Sequence, residues 1–258
     1  MAKRSIALAR GFLWRELRNR FAGSISGGLW ALFQPLIQLA VYAFVFVHIF
    51  KARVPGADAP GYVPFLICAL WPWTAFSEGL LRSTTVIHDN SALIGKVALP
   101  REILVISSVS ASFIVHMAGF AAIIAILAIS DSGIQLLGIL PAFLLYLPLF
   151  ALATGCALVL ASMQVFVRDL IQVLAQLMTL MMFAAPIFYE RSALPETYRG
   201  WLDLNPFTFY AETFRGLLLG YGTTDFVRIA IAVLVALIAL FIGHRVFRRL
   251  DPHFEDFL

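Results

Sequence analysis

Gly95-Lys96 is the nearest this 258-residue chain comes to a phosphate-binding loop, and the match fails on both sides. That loop needs Gly, four residues, then Gly-Lys-Ser/Thr. Its backbone amides cradle phosphates, its lysine reaches the terminal ones, and its hydroxyl holds Mg²⁺. Here position 90 is Asn and position 97 is Val, so ATP could enter only through a separate subunit. Other reaction chemistry is equally thin. There is no His-Glu-x-x-His for zinc and no Gly-x-Ser-x-Gly for a serine nucleophile. Cys68 and Cys156 lie in apolar runs and read as packed thiols, with no disulfide framework or metal site. His48 and His116 are single histidines in apolar runs, better read as packed or hydrogen-bonded residues than as catalysts. An ionisable group inside a membrane is a functional candidate by default. Glu78 is the one acid within an apolar run, near its inner end, where interface exposure or a bond to a neighbouring helix accounts for it. No acid sits mid-span to relay protons or sodium.

The elements that would hold these residues are apolar helices. The chain is 61% hydrophobic and 13% charged, with mean hydropathy +0.88, about half the charge of a soluble domain. A spanning helix needs about 20 apolar residues. Six segments qualify: 29–50, 62–81, 103–129, 136–161, 170–189 and 226–247. Their runs are continuous rather than alternating, which argues against a barrel. The expected fold is an all-α membrane protein of one domain over 1–258. The first twenty residues spread Lys3, Arg4, Arg10, Arg15, Arg18 and Arg20 along their length. The first apolar run is too long for a signal core.

Basic residues orient the spans. With the amino terminus inside, Lys3, Arg4, Arg10, Arg15, Arg18, Arg20, Arg82, Lys96, Arg101, Arg168, Arg245, Arg248 and Arg249 lie inside. Only Lys51, Arg53, Arg191, Arg199, Arg215 and Arg228 lie outside. The net charge of +4 thus points to an inner leaflet rather than to nucleic acid, and both termini are placed in the cytoplasm.

Three segments outside the spans are informative. In 1–22, Ile6, Ala9, Leu13, Leu17 and Phe21 share a helical face opposite Arg4, Arg15 and Arg18, as in a helix lying in the cytoplasmic interface. In 83–102, His88-Asp89-Asn90-Ser91 offers N-caps before Ala92-Leu93-Ile94, and Gly95 and Pro100 limit a short helix. In 190–222, Asn205-Pro206 reads as an N-cap with Pro at the first helical position. Phe207, Tyr210, Phe214 and Leu217 then form an aromatic face, closed by Gly220 and Gly222. That helix would dip into the outer interface or re-enter the bilayer.

Four stretches, in order, carry a family resemblance. They are Trp14-Arg15-Glu16-Leu17-Arg18-Asn19-Arg20-Phe21 with Gly28-Leu29-Trp30 and Pro35; Leu70-Trp71-Pro72-Trp73 through Asn90 and Leu93-Ile94-Gly95-Lys96-Val97 to Pro100-Arg101-Glu102-Ile103-Leu104; Val167-Arg168-Asp169-Leu170; and Ala185-Pro186-Ile187-Phe188-Tyr189 with Leu194-Pro195, Leu204-Asn205-Pro206 and Phe214-Arg215. From about residue 12 onward the chain resembles the membrane subunits of bacterial ABC exporters for O-antigen, capsular polysaccharide and teichoic acid. It departs at Ser26-Gly27-Gly28-Leu29-Trp30, where the family often has Leu-Gly-x-Leu-Trp. The resemblance implies a bacterial inner-membrane transport subunit that is not an enzyme. It would bind no cofactor or metal, leaving ATP and Mg²⁺ to two copies of a partner ATPase. A second copy of the chain would complete the conduit for a lipid-linked polysaccharide. ATPase coupling would fall to Arg15, Glu16, Arg18, Asp89, Asn90, Leu93, Ile94 and Lys96. A periplasmic gate would involve Asn205, Pro206, Tyr210, Phe214 and Arg215. Sugar rings pack on aromatics, which nominates Trp30, Tyr42, Trp71, Trp73, Phe183 and Tyr189 for the substrate path; interfacial belts are the competing reading. Export of a drug or lipid on the same scaffold, and a non-transporting intramembrane enzyme subunit, are the alternatives.

Overall fold

Apolar runs without period-two alternation satisfy their backbone groups within the segment, and each becomes helix. The computed structural model describes residues 2–20, 29–49, 61–94, 100–130, 132–220 and 226–257, and among these residues every regular element is helical. In order they are α1 (Ala2–Asn19), α2 (Leu29–Phe44), α3 (Tyr62–Asp89), α4 (Ser91–Ile94), α5 (Glu102–Ile129), α6 (Leu136–Phe166), α7 (Leu170–Ala184), α8 (Glu196–Leu202), α9 (Pro206–Leu219) and α10 (Phe226–Leu250). A π segment, Val45–Ile49, prolongs α2, and 3₁₀ turns occupy Arg191–Ala193 and Asp251–Asp256.

Among the described residues, α5, α6 and α10 with its 3₁₀ continuation are long and apolar enough to cross a membrane; α7 is apolar but shorter. α3 carries Glu78 and Arg82 and is the most enclosed helix, with residues from Tyr62 to Ile87 largely buried. It runs through the middle of the bundle, against α2, α5, α6, α7 and α9. A polar helix is best tolerated where protein rather than lipid surrounds it. α10 lies at the edge, packed chiefly on α6. Lipid is as apolar as leucine, so helices gain by approaching closely through small residues. A Cβ added at Gly155 would sit 2.4 Å from the Ala239 carbonyl carbon, and one at Gly243 would sit 2.2 Å from the Gly155 oxygen. The two backbones therefore touch.

Several expected boundaries move. The helix expected over 170–189 as a fifth span stops at Ala184, because Pro186 disfavours helix at the residue before it and donates no amide. The second, expected to end at 81, continues to Asp89, so the first part of the 83–102 loop is helix. Arg82 on Glu78 at 2.6 Å and Thr85 on Asp89 at 2.8 Å extend it with four-residue pairs. The fourth runs on from 161 to Phe166, and the sixth from 247 to Leu250. The first is α-helical only to Phe44 before its π segment. Pro72, Pro141 and Pro148 all lie inside helices.

Candidate functional site

The end of the bundle where α1 meets α3 and α5 is organised by arginines. α1 packs along α5 and is tied to the core at three heights. Ser107 Oγ donates to the Ala9 carbonyl at 3.4 Å. Arg15 Nη2 donates to Asn90 Oδ1 at 2.5 Å, with its guanidinium 4.7 Å above the Phe12 ring. Arg20 Nη2 bonds Glu78 Oε1, and its Nη1 reaches Ser112 Oγ at 3.5 Å. Glu78 also accepts from Arg82 and pairs with His116 Nε2. The isolated acid and isolated histidine of the sequence are thus partners across α3 and α5, joined by the end of α1.

That cluster superficially offers a Thr–His–Glu relay, since Thr74 Oγ1 lies 3.5 Å from His116 Nδ1. The distance exceeds the reach of a working base, about 2.6–3.2 Å. The Thr74 hydroxyl instead donates to the Trp71 carbonyl at 2.7 Å, and Arg20 and Arg82 neutralise Glu78. The arrangement fastens α1, α3 and α5 together.

The turn between α3 and α4 is built from Asn90. Its amide nitrogen donates to the Val86 carbonyl at 2.8 Å and its oxygen accepts from Arg15. Asp89 accepts from Thr85. Neither side chain caps α4, contrary to the sequence expectation, because each already has a partner across or behind the turn. The Leu93 and Ile94 amides donate to the Asn90 carbonyl at 3.0 and 3.1 Å. Ala92 is exposed and Leu93 half-buried, whereas Ile94 packs into the chain's own core at 7% exposure. Of the residues expected to face an ATPase, Arg15 and Glu16 are half-buried and Arg18 is exposed; Lys96 lies outside the described residues. Ile94 holds the turn from within.

At the opposite end of the bundle the sequence expectation for the cap and stop of α9 holds locally. Asn205 Oδ1 accepts from the Phe207 amide at 3.0 Å, Pro206 occupies the first turn, and Gly220 ends the helix at φ +74°. Asn205 Nδ2 also donates to the Met181 carbonyl at 2.9 Å, tying α9 to α7. The aromatic face turns inward rather than to lipid. Phe207, Tyr210 and Phe214 are buried, with Phe214 against Phe120 and Tyr146 and Phe207 edge-on to Trp73. Arg215 is also buried, and its guanidinium is spread over three carbonyls: Phe65 at 3.0 Å, Ile187 at 2.5 Å, and Pro186. It lies 3.4 Å above the Phe65 ring. The arginine satisfies carbonyls left open where Pro186 breaks α7. Only the Phe-Arg motif hinted at this residue; its carbonyl partners come from distant segments.

The aromatics nominated for a substrate path separate into two groups. Trp71 and Trp73 are each 3% exposed, and the Trp71 indole donates to the His116 carbonyl at 2.9 Å. Their place is the internal core, which removes them from any path surface. Tyr42, Phe183 and Tyr189 keep exposed or half-exposed faces around Phe188, and the Tyr189 hydroxyl donates to the Phe183 carbonyl. The Trp30 side chain lies outside what is described. A cavity of about 520 Å³ opens between α6, α9 and α10, with Asp203, Glu212 and Arg228 among its lining. Arg191 bridges Asp203 bidentately at 2.6 Å and approaches Glu212 at 3.6 Å. Its hydrogen bonds hold the Asp203 carboxyl below the usual range and raise the guanidinium.

Comparison with known proteins bears on the whole chain. It is 25% identical over 249 residues to an O-antigen export system permease protein RfbA from Klebsiella pneumoniae, covering 95% of this chain and 92% of that protein. A Myxococcus xanthus protein of the same name is 24% identical over 94% of this chain and 92% of its own length. The polysialic acid transport protein KpsM of Escherichia coli is 23% identical over 91% of this chain and 90% of its own. Residues 9–219 match the ABC-2 type transporter family. That span takes in the arginine-tied end of the bundle, the α3–α4 turn and the buried Arg215 of α9, and the chain belongs to the ABC-2 type transporter family.

Proposed function

We propose that this chain is the membrane subunit of an ATP-driven exporter that moves a lipid-linked cell-surface polysaccharide out across a bacterial inner membrane. The observation that carries this reading is the end-to-end similarity to permeases named for O-antigen and polysialic acid, over more than nine-tenths of the chain. Two copies form the conduit, each with six spans and both termini in the cytoplasm, and two ATPase subunits dock beneath. α2 with its π extension and α3 supply the first two spans, and α7 supplies the fifth. The turn at Asp89–Leu93, braced by Arg15, receives the ATPase. The segment 190–219 gates the outer side.

The test has two arms. Deletion of the gene should abolish the surface polymer and leave lipid-linked polymer on the inner face. Complementation with Leu93→Asp or Ala92→Asp should leave the protein inserted, lower the amount of co-purifying ATPase, and fail to restore export. Normal surface polymer in the deletion strain, with altered efflux of a drug or phospholipid, would transfer the reading to that class of cargo.

A further inference from the structure

The segment Asp251–Asp256 after α10 is not a loose extension. Phe254 is fully buried against Phe247 of α10, with ring centroids 5.4 Å apart, and against Phe166 at the end of α6, at 6.1 Å. This plug brings Asp251 and Glu255 onto Arg101, the residue before α5. Arg101 Nη1 donates to the Asp251 carbonyl at 2.7 Å and to its carboxylate at 3.2 Å, while Nη2 bonds Glu255. The Arg101 side chain is only 14% exposed. One residue on, Glu102 lies 3.5 Å from His244 and 3.6 Å from Arg248. Two successive residues at the start of α5 are therefore fastened to α10 and its 3₁₀ continuation.

We propose that Arg101 is a positioning residue of the transport cycle. It fixes the start of α5 to α10 and its 3₁₀ continuation, so that a push reaching the start of α5 moves α5 and α10 together. This rests on the reading of the α3–α4 turn as the ATPase contact. Arg15 holds Asn90 at the α3–α4 turn, and Arg101 holds Asp251 and Glu255 at the start of α5. A start of α5 that is fastened to α10 passes a push to both helices; an unfastened one passes it to α5 alone. The guanidinium suits this part because its planar fork serves two acceptors at fixed geometry, which an ammonium does not.

The experiment uses the chain with its ATPase in lipid vesicles, reading membrane abundance, ATPase co-purification, ATP turnover and polymer moved per ATP. Arg101→Ala should keep the first three and lower polymer moved per ATP by about fivefold or more. Arg101→Lys should recover part of the loss. Arg101→Glu combined with Glu255→Arg should export more than either single variant. Unchanged polymer per ATP in Arg101→Ala overturns the proposal. So does a loss of export that only tracks the amount of folded complex, because a purely structural tie would act that way. Leu93→Asp in the same vesicles separates the two claims. If it uncouples while Arg101→Ala does not, the coupling turn stands and the clamp falls. If both behave as wild type, the reading of the turn falls with it.

Discussion

Replacing Glu78 by Leu removes the acceptor shared by Arg20, Arg82 and His116. Arg82 is half exposed and loses little. Arg20 is the costly partner, because its side chain is 7% exposed and a guanidinium cannot shed its charge. Stranding one member of a buried ion pair costs about 3–5 kcal/mol. Glu78 is itself 29% exposed, and Ser112 remains within 3.5 Å of Arg20, which brings the cost to about 2–3 kcal/mol. At about 2–4 °C per kcal/mol for a chain of this length, the melting point should fall by about 5–10 °C. The assay is thermal denaturation of the purified protein in one detergent, followed by size-exclusion recovery. Arg20→Leu on top of Glu78→Leu removes the stranded charge and should return part of the loss, giving non-additive effects. A Glu78→Leu protein that melts within about 1 °C of wild type, or strictly additive single and double variants, would show that the cluster does not hold α1 to α3 and α5.

Gly243→Val drives a side chain into the Gly155 carbonyl and should separate α10 from α6; cysteine pairs placed across the two helices should crosslink more slowly than in the wild-type background. Arg215→Lys replaces the planar fork on the carbonyls of Phe65, Pro186 and Ile187 by an ammonium that cannot meet all three at the same geometry, and should lower thermal stability by about 1–3 kcal/mol; a melting curve unchanged from wild type would refute it. Asp203 is held below its ordinary value of 3.8 chiefly by the Arg191 hydrogen bonds. That pairing is fully present above the ordinary value and is lost as pH falls through the lower folded value. Hydrogen-exchange protection of 190–204, corrected for intrinsic rates, should therefore stay flat from about pH 8 to 5, and Asp203→Asn should lower it already at neutral pH. Loosening that begins near pH 6 would assign control of the segment to another group.

Local rules carry far in this chain. Asn205-Pro206 and Gly220 bound α9 as cap and stop chemistry dictates, and the apolar runs become helices. The sequence is silent wherever a residue's partner lies far along the chain. Glu78 and His116 look like unrelated singletons because they are 38 residues apart, and Arg20 is 58 residues from Glu78. Trp71 and Trp73 look like interfacial or path-lining aromatics; composition does not say which side of a helix faces protein. α9 shows the same ambiguity. Its spacing defines an aromatic face, but α3, α5 and α6 decide that the face is covered. Helix ends depart from hydropathy at Pro186, where proline stops α7, and beyond Leu81, where the four-residue pairs Arg82–Glu78 and Thr85–Asp89 extend α3.

α3 has one further consequence. As a 28-residue helix it is about 42 Å long at 1.5 Å per residue. Arg15 grips one end through Asn90, and Arg215 of α9 grips the other through the Phe65 carbonyl. It is therefore a connecting rod with a bearing at each end. A shift at the Asn90 bearing reaches α9 through one stiff body rather than through a relay of loops. The helix-breaking ring of Pro72 is the point along the shaft where it can bend. α9 cannot swing free of that rod without first releasing Arg215.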